Sequence, residues 1–331
     1  MTYRFSFRAY QLPLVNPLRT AHGLWTVREG LILRTEDEGG KVGFGEVAPL
    51  PWFGTETLAE ATEVCRALGD RFPRSLVAAV AKRFGCVRFG LAMALEPAVT
   101  VAETARLPVA ALLPAGRSAL EALPPKLAAG FLAYKWKVGV SDAADEMGIL
   151  DDLLAMMPAY TRLRIDANGA WDRRLAQRWL KRCAERPIEF VEQPVAPEDV
   201  DTLSGLAREF PVMLALDESI VRLDEAQEWQ ARGWPGVFVI KPALCGPLSE
   251  IGAWIEATKP DVVFSSALET TLGRAVILRF ALGGGYSQRA IGFGLGEMFG
   301  DRTWDGPVLG PLVDASCWQG QNLEAQWNAL N

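Results

Sequence analysis

Past residue 107 the chain falls into eight apolar runs of strand length, most of them separated by stretches of helical spacing. "LPVAALLPAG" is the first, and the others lie at 132–138, 161–166, 188–192, 212–217, 236–241, 261–265 and 289–293. Helices are predicted between them at 141–157, 172–186, 197–209, 223–232, 247–258 and 269–282. Eight strand–helix units in roughly 200 residues are what a (β/α)8 barrel of the TIM type requires. A doubly wound open sheet is the alternative. It wants a glycine-rich turn after its first strand, and "LLPAGRS" is a poor one.

Residues 1–100 form a different unit. "TYRFSFRAY" alternates like a strand, and "EGLILRTEDEGGKVGFGEVAP" reads as two strands joined by a turn at Gly39-Gly40. "TETLAEATEVCRALGDRF" is predicted as a helix with Thr55 or Thr57 as N-cap. "RSLVAAVAKRFGCVRFGLAMALE" is predicted as a long apolar helix broken at Gly85. This is an α+β domain. Residues 101–300 carry the barrel, and 301–331 are expected to pack back against the first domain.

Composition narrows the function. The net charge is −6 with no basic stripe, which argues against nucleic acid and anionic membrane as partners. There is no run of about 18 apolar residues and no signal-like start, so a soluble cytoplasmic protein is expected. Cys65, Cys86, Cys183, Cys245 and Cys317 are scattered without a C-x-x-C, and are expected as reduced core residues. His22 is the only histidine, which excludes mechanisms needing two imidazoles. Composition leaves open whether the chain forms a homo-oligomer.

Charged residues recur where the barrel strands finish. "FLAYKWKVGV" places Lys135 and Lys137 on one face of a strand, where repulsion and desolvation are expected to depress both pKa values. The following strands end in Asp166, Glu192, Asp217 and Lys241, at gaps of 29, 26, 25 and 24 residues from Lys137 onward. Each gap is one strand–helix unit, so all face the C-terminal mouth, where barrel enzymes place their chemistry. Three converging carboxylates repel unless a cation sits between them, and an all-oxygen set suits Mg²⁺. The lysines flank that point from opposite sides. A base, a divalent cation and a second cation suit proton abstraction beside a carboxylate, with the enediolate stabilised as it forms. A lone Asp or Lys after a strand is more often a solvated end or a helix cap. Five at matching phase are hard to explain that way.

The ordered set K-x-K, "RIDANGAW", "VEQP", "DES" and "IKP" resembles the strand-end signatures of the enolase superfamily, in its muconate-lactonizing subgroup. "PLRTAHGLWTVREGLILR", "GFGEVAPLPWFGTETL" and "SSALETTLGRAVILRFAL" resemble more narrowly the o-succinylbenzoate synthase family. The resemblance runs from about residue 3 to 300. It implies that Asp166, Glu192 and Asp217 hold Mg²⁺, with Mn²⁺ as an alternative. It implies further that Lys137 removes the α-proton of a small cyclohexadiene carboxylate and then protonates the departing hydroxyl. Lys241 stabilises the enediolate from the other face, and Lys135 tunes Lys137. Arg164 and Asn168 match positions beside the first metal ligand and read as orienting groups, as does Glu218; an ordinary ion pair is the plain alternative for Arg164 and Glu218.

The resemblance also makes the first domain a cap over the barrel mouth, closing through Thr20–Gly23 and Pro49–Phe53. His22 is then a substrate contact or a loop polar residue. Trp52 and Phe53 form an apolar wall or simply pack. Ser265 and Ser266 donate to a substrate carboxylate or cap the next helix. "GFGLGEMFG" lacks the context of a nucleotide loop, although a phosphate site there stays open. Dipeptide epimerases of the subgroup carry D-x-D at this place, where this chain has Gly292, Phe293 and Gly294. The implied reaction is dehydration to 2-succinylbenzoate in menaquinone or phylloquinone formation. N-acylamino acid racemisation and muconate cycloisomerisation use the same set. A non-catalytic barrel is the alternative outside enzymes.

Overall fold

The computed structural model describes residues 2–20, 23–319 and 321–330. Strands β1 (Thr2–Thr20), β2 (Gly23–Glu36), β3 (Val42–Val47) and β4 (Arg71–Pro73) form an antiparallel sheet in the order β3-β2-β1-β4. The turn between β2 and β3 falls where expected, with Asp37 accepting from the amides of Gly39 and Lys41. The first helix, Leu58–Ala67, has Thr57 as N-cap and a reciprocal bond from Glu60. It is shorter than the sequence predicts. Arg71–Pro73 leaves the helical run because pairing with the first residues of β1 claims its backbone. The long apolar stretch is two helices, Ser75–Ala79 and Gly85–Leu95.

The barrel strands are β5 (Leu107–Leu113), β6 (Ala133–Lys137), β7 (Arg162–Asp166), β8 (Ile188–Glu192), β9 (Leu214–Leu216), β10 (Val237–Ile240), β11 (Val262–Phe264) and β12 (Ile291–Gly294). Neighbours along this path pair in parallel, and β12 returns to pair with β5. A parallel bridge between Ser265 and Gly292 joins β11 to β12 and closes the ring. A short β13 (Leu312–Val313) adds antiparallel to the outside of β5. The lumen is filled by Phe190, Ala215, Val237, Val239 and Val263. No described helix is long and apolar enough to cross a membrane.

One further expectation changes. A helix at Ser118–Ala128, with Pro124 and Pro125 inside it, lies between β5 and β6, where none was predicted. Each proline removes a backbone donor, which normally breaks a helix. Here Ala119 and Leu123 are fully buried, and packing overrides propensity. The glycines of β12 serve packing. A Cβ on Gly294 would lie 2.1 Å from the carbonyl of Ala110, so only glycine lets β12 approach β5 this closely.

Candidate active site

Strand ends bring the expected charges to one end of the ring. Lys137, Asp166 and Glu192 are the last residues of β6, β7 and β8, and Asp217 and Lys241 follow β9 and β10 by one residue. Lys137 pairs in register with Asp166, and Asp166 with Glu192. Lys135 lies two residues back from Lys137 and so shares its inward face.

Lys135 Nζ is 2.9 Å from Asp166 Oδ2 and 2.7 Å from Glu192 Oε1. Lys241 Nζ pairs with Asp217 Oδ1. All three carboxylates are buried, and the Asp217 and Glu192 side chains lie within hydrogen-bonding reach of each other. Two paired ammoniums thus face three carboxylates, one charge short of balance. The shortfall falls on Glu192. Burial, together with Asp166 and Asp217, pushes its carboxyl well above the usual range despite Lys135. Burial also pushes Asp217 upward, but Lys241 and Lys135 outweigh it and hold that carboxyl low.

Lys135 overturns one expectation. Burial does work to lower its pKa, but Asp166, Glu192 and Asp217 outweigh it and hold the ammonium well above its ordinary value. Its nearest charges are carboxylates rather than the neighbouring lysine. Lys137 is half-buried and makes no hydrogen bond or ion pair among the described residues. The two lysines of the K-x-K pair are therefore in different situations, one bound and one free.

The three carboxylates do not by themselves form a chelating cluster among the described residues. Lys135 and Lys241 stand among them and supply positive charge. The donors are nonetheless all oxygen, buried and mutually repelling, which fits Mg²⁺. Two buried oxygens beside them, Asn168 Oδ1 and Glu218 Oε2, have no hydrogen-bond partner and are acceptors open to an incoming ligand.

Asn168 and Glu218 lie beside Asp166. The Asn168 amide donates to Asp166 Oδ1 at 3.0 Å, and its Nδ2 donates to Glu218 Oε1 at 2.9 Å. Burial, with Asp217 and Asp166 close by, pushes Glu218 up to about 7. Arg164 does not join them. Its guanidinium pairs with Glu189 at 2.7 Å and lies over Phe190, an ordinary ion pair. Ser265 Oγ is 3.4 Å from the carbonyl of Gly292. Ser266 Oγ donates to Glu269 and accepts from the Leu268 amide. Neither serine caps the following helix, Thr271–Gly284, whose N-cap is Thr270. Trp52 packs edge-on against Trp25 and Phe53, and Lys241 Nζ lies 4.3 Å over the Phe53 ring. His22 lies outside the described residues.

Three residues at the site escaped the sequence analysis. Gln193 is fully buried at φ +36°. Its Oε1 accepts from the amides of Asp217 and Ser219, so it fixes the turn carrying Asp217. The only signal was its place inside "VEQP". Leu112 pairs in register with Lys135 yet is 43% exposed, an apolar wall at the mouth. Nothing distinguishes it within an apolar strand. Arg28 is buried on β2 and reaches the β11 turn, a contact no local pattern encodes.

Comparison with known proteins agrees with this geometry. Residues 3–98 match the family described as MenC, N-terminal domain, and residues 118–285 match the enolase C-terminal domain-like family. An o-succinylbenzoate synthase from Thermosynechococcus vestitus is 40% identical over 316 residues, covering 94% of this chain and 96% of its own. The crystal structure of the o-succinylbenzoate synthase from Thermosynechococcus elongatus BP-1, complexed with Mg in the active site, superposes with a TM-score of 0.84 at 36% identity. That match covers 99% of this chain and 100% of the other. Muconate cycloisomerase 1 of Rhodococcus opacus is more distant, at 28% identity over 90% of this chain and 87% of its own. With both halves matched and the likeness running along nearly the whole length, the chain belongs to the o-succinylbenzoate synthase family of the enolase superfamily.

Proposed function

We propose that this chain catalyses the syn elimination of water from 2-succinyl-6-hydroxy-2,4-cyclohexadiene-1-carboxylate to give 2-succinylbenzoate, a step in menaquinone or phylloquinone formation. One observation carries the reading. Lys137 follows from β6 and Lys241 from β10, four strands apart in a ring of eight, with the three carboxylates between. A ring carboxylate held between the lysines presents one face to each. Lys137 Nζ, as the free amine, takes the α-proton. The C–O bond to the hydroxyl then breaks on the same face, Lys137 returns the proton, and water leaves an aromatic ring. Lys241 offers positive charge from the opposite face as negative charge moves onto the substrate carboxylate. Lys135, paired with Asp166 and Glu192, keeps those acids from pairing with Lys137.

Asp166, Glu192 and Asp217 are the residues that would hold Mg²⁺, and Mn²⁺ suits the same donors. When bound, the ion supplies a Lewis acid for the substrate carboxylate. Asn168, Glu218 and Gln193 orient the acids. We assign residues 1–100 to a cap, 101–300 to the barrel and 301–331 to a segment returning to the cap. Phe44 packing on Trp327 at 6.3 Å, and Arg8 bonding the carbonyls of Trp327 and Leu330, support that division.

Racemisation of N-acylamino acids would require Lys241 to give and take a proton on its own face. Its commitment to Asp217 and to the face of Phe53 suits a fixed ammonium, and so favours elimination. The test is an ultraviolet progress curve with protein, Mg²⁺ and the cyclohexadiene carboxylate, with and without EDTA. Metal-dependent loss of the diene with gain of the aromatic product is expected. No conversion by metal-loaded protein would turn the assignment toward racemisation, read by α-proton exchange in deuterated water.

A further inference from the structure

Arg28 is 1% exposed, and among the described residues none of its hydrogen bonds goes to a carboxylate. Its donors instead reach backbone carbonyls on both sides of the seam between cap and barrel. Nη2 and Nη1 donate to Ala48 and Pro49 of the cap at 2.5 and 2.6 Å. Nε donates to Leu268 of the β11 turn at 2.9 Å, with Ala267 at 3.4 Å from Nη2. Burying a guanidinium without a counter-charge is costly, and an aliphatic side chain would fill the same space at less expense. Planar, forked donors are what the position uses, because no other side chain reaches four carbonyls from two segments at once.

Both segments lead into the site. Ala48 and Pro49 precede the 3-10 turn Pro51–Phe53, which carries Trp52 and Phe53. Ala267 and Leu268 follow Ser265 and Ser266, and Leu268 sits at φ +60°, a strained geometry for leucine. A second route runs through the rings. The Arg28 guanidinium is 5.5 Å from the Trp25 ring, Trp25 is 5.9 Å from Trp52, and Trp52 is 6.0 Å from Phe53, under Lys241.

We propose that Arg28 is a positioning residue for the reaction: by gripping the cap loop and the β11 turn together, it sets the spacing between the Trp52–Phe53 wall and the Ser265–Ser266 turn, and so the seat of the substrate. The proposal rests on the reading of the site given above. The experiment is steady-state kinetics of Arg28→Lys and Arg28→Gln beside the wild-type enzyme, with Mg²⁺ affinity and circular dichroism measured on the same samples. A misplaced wall loses substrate affinity, so kcat/KM is expected to fall about 100-fold, mostly through KM. Mg²⁺ affinity stays unchanged. A purely structural role would lower the folded, active fraction, and so kcat, at unchanged KM. That pattern overturns the proposal, as does failure of both variants to fold. No turnover by the wild-type enzyme would sink the functional reading instead, and the two failures are thereby distinct.

Discussion

Lys135 Nζ stands 2.7 Å from Glu192 Oε1, so the inner lysine of the K-x-K pair is tied to an acid that would hold the metal. A divalent ion seated between Asp166 and Glu192 has to compete with that ammonium. Replacing Lys135 by Met removes the competitor and leaves the acids short of positive charge. Mg²⁺ affinity in Lys135→Met is therefore expected to tighten by about tenfold or more, since roughly 1.4 kcal/mol is a factor of ten. Turnover is expected to fall by about 100-fold, because Asp166 and Glu192 are then left to pair with Lys137. Titration calorimetry with Mg²⁺ decides it, and weaker binding in the variant would sink the competition argument.

Lys137 is the contrasting case. It touches none of the acids, so Lys137→Ala should leave Mg²⁺ binding as it was and lower kcat by about 1,000-fold. Glu192→Gln should do the reverse first, with Mg²⁺ affinity falling well before saturation is reached. Exchange of the α-proton separates the two defects. It should vanish in Lys137→Ala at any Mg²⁺ concentration and return in Glu192→Gln at high Mg²⁺. Persistent exchange in the alanine variant would remove Lys137 from the role of base.

The barrel and the charge cluster were legible because both depend on local pattern. Period-2 apolar runs mark strands, and a charge ending each successive strand must reach the same mouth. What failed depends on neighbours distant in the chain. The direction of the Lys135 shift needs the position of Glu192, 57 residues on. Arg164 turns toward Glu189 although its strand position faces the lumen with Asp166. The helix over Pro124 and Pro125 forms because Ala119 and Leu123 are buried against the barrel, which no window around the prolines reveals. Arg28 looks like one more charged residue on a strand, and its partners at Leu268 lie 240 residues away.

Glu46 of β3 also bonds the cap to the barrel. It accepts from Tyr10 Oη at 2.7 Å, Thr270 Oγ1 at 2.8 Å, and the amides of Thr270 and Gly273 at 2.9 Å. A carboxylate at the start of the Thr271–Gly284 helix answers its unpaired amides and its dipole. A Cβ on Gly273 would lie 2.7 Å from Glu46 Oε2. Alanine is the better helix former by about 1 kcal/mol. Gly273→Ala should nonetheless destabilise the protein by about 2 kcal/mol, because the buried carboxylate has to move off its donors. Urea unfolding measures this, and a stabilised variant would show that Glu46 yields freely.

Glu218 gives the metal-free protein a pH dependence. Its carboxyl rises from an ordinary value of 4.5 to about 7 on folding, through burial and then the charges of Asp217 and Asp166. Below 4.5 it is protonated in both states and the folded form carries no penalty. Between 4.5 and 7 the unfolded chain ionises while the folded one keeps its proton, so stability falls as pH rises. Above 7 the full loss is present, about 3 kcal/mol for a rise of this size. Glu218→Gln can still accept from Asn168 Nδ2 and has no proton to lose. Urea unfolding in EDTA at pH 5, 6, 7 and 8 should therefore show stability declining with pH less steeply in the variant than in the parent. Equal slopes would mean that Glu218 is already ionised at pH 5 in the folded protein. Excess Mg²⁺ should weaken the parent's dependence as well, because a cation on Asp166 and Asp217 cancels the charges that raise Glu218.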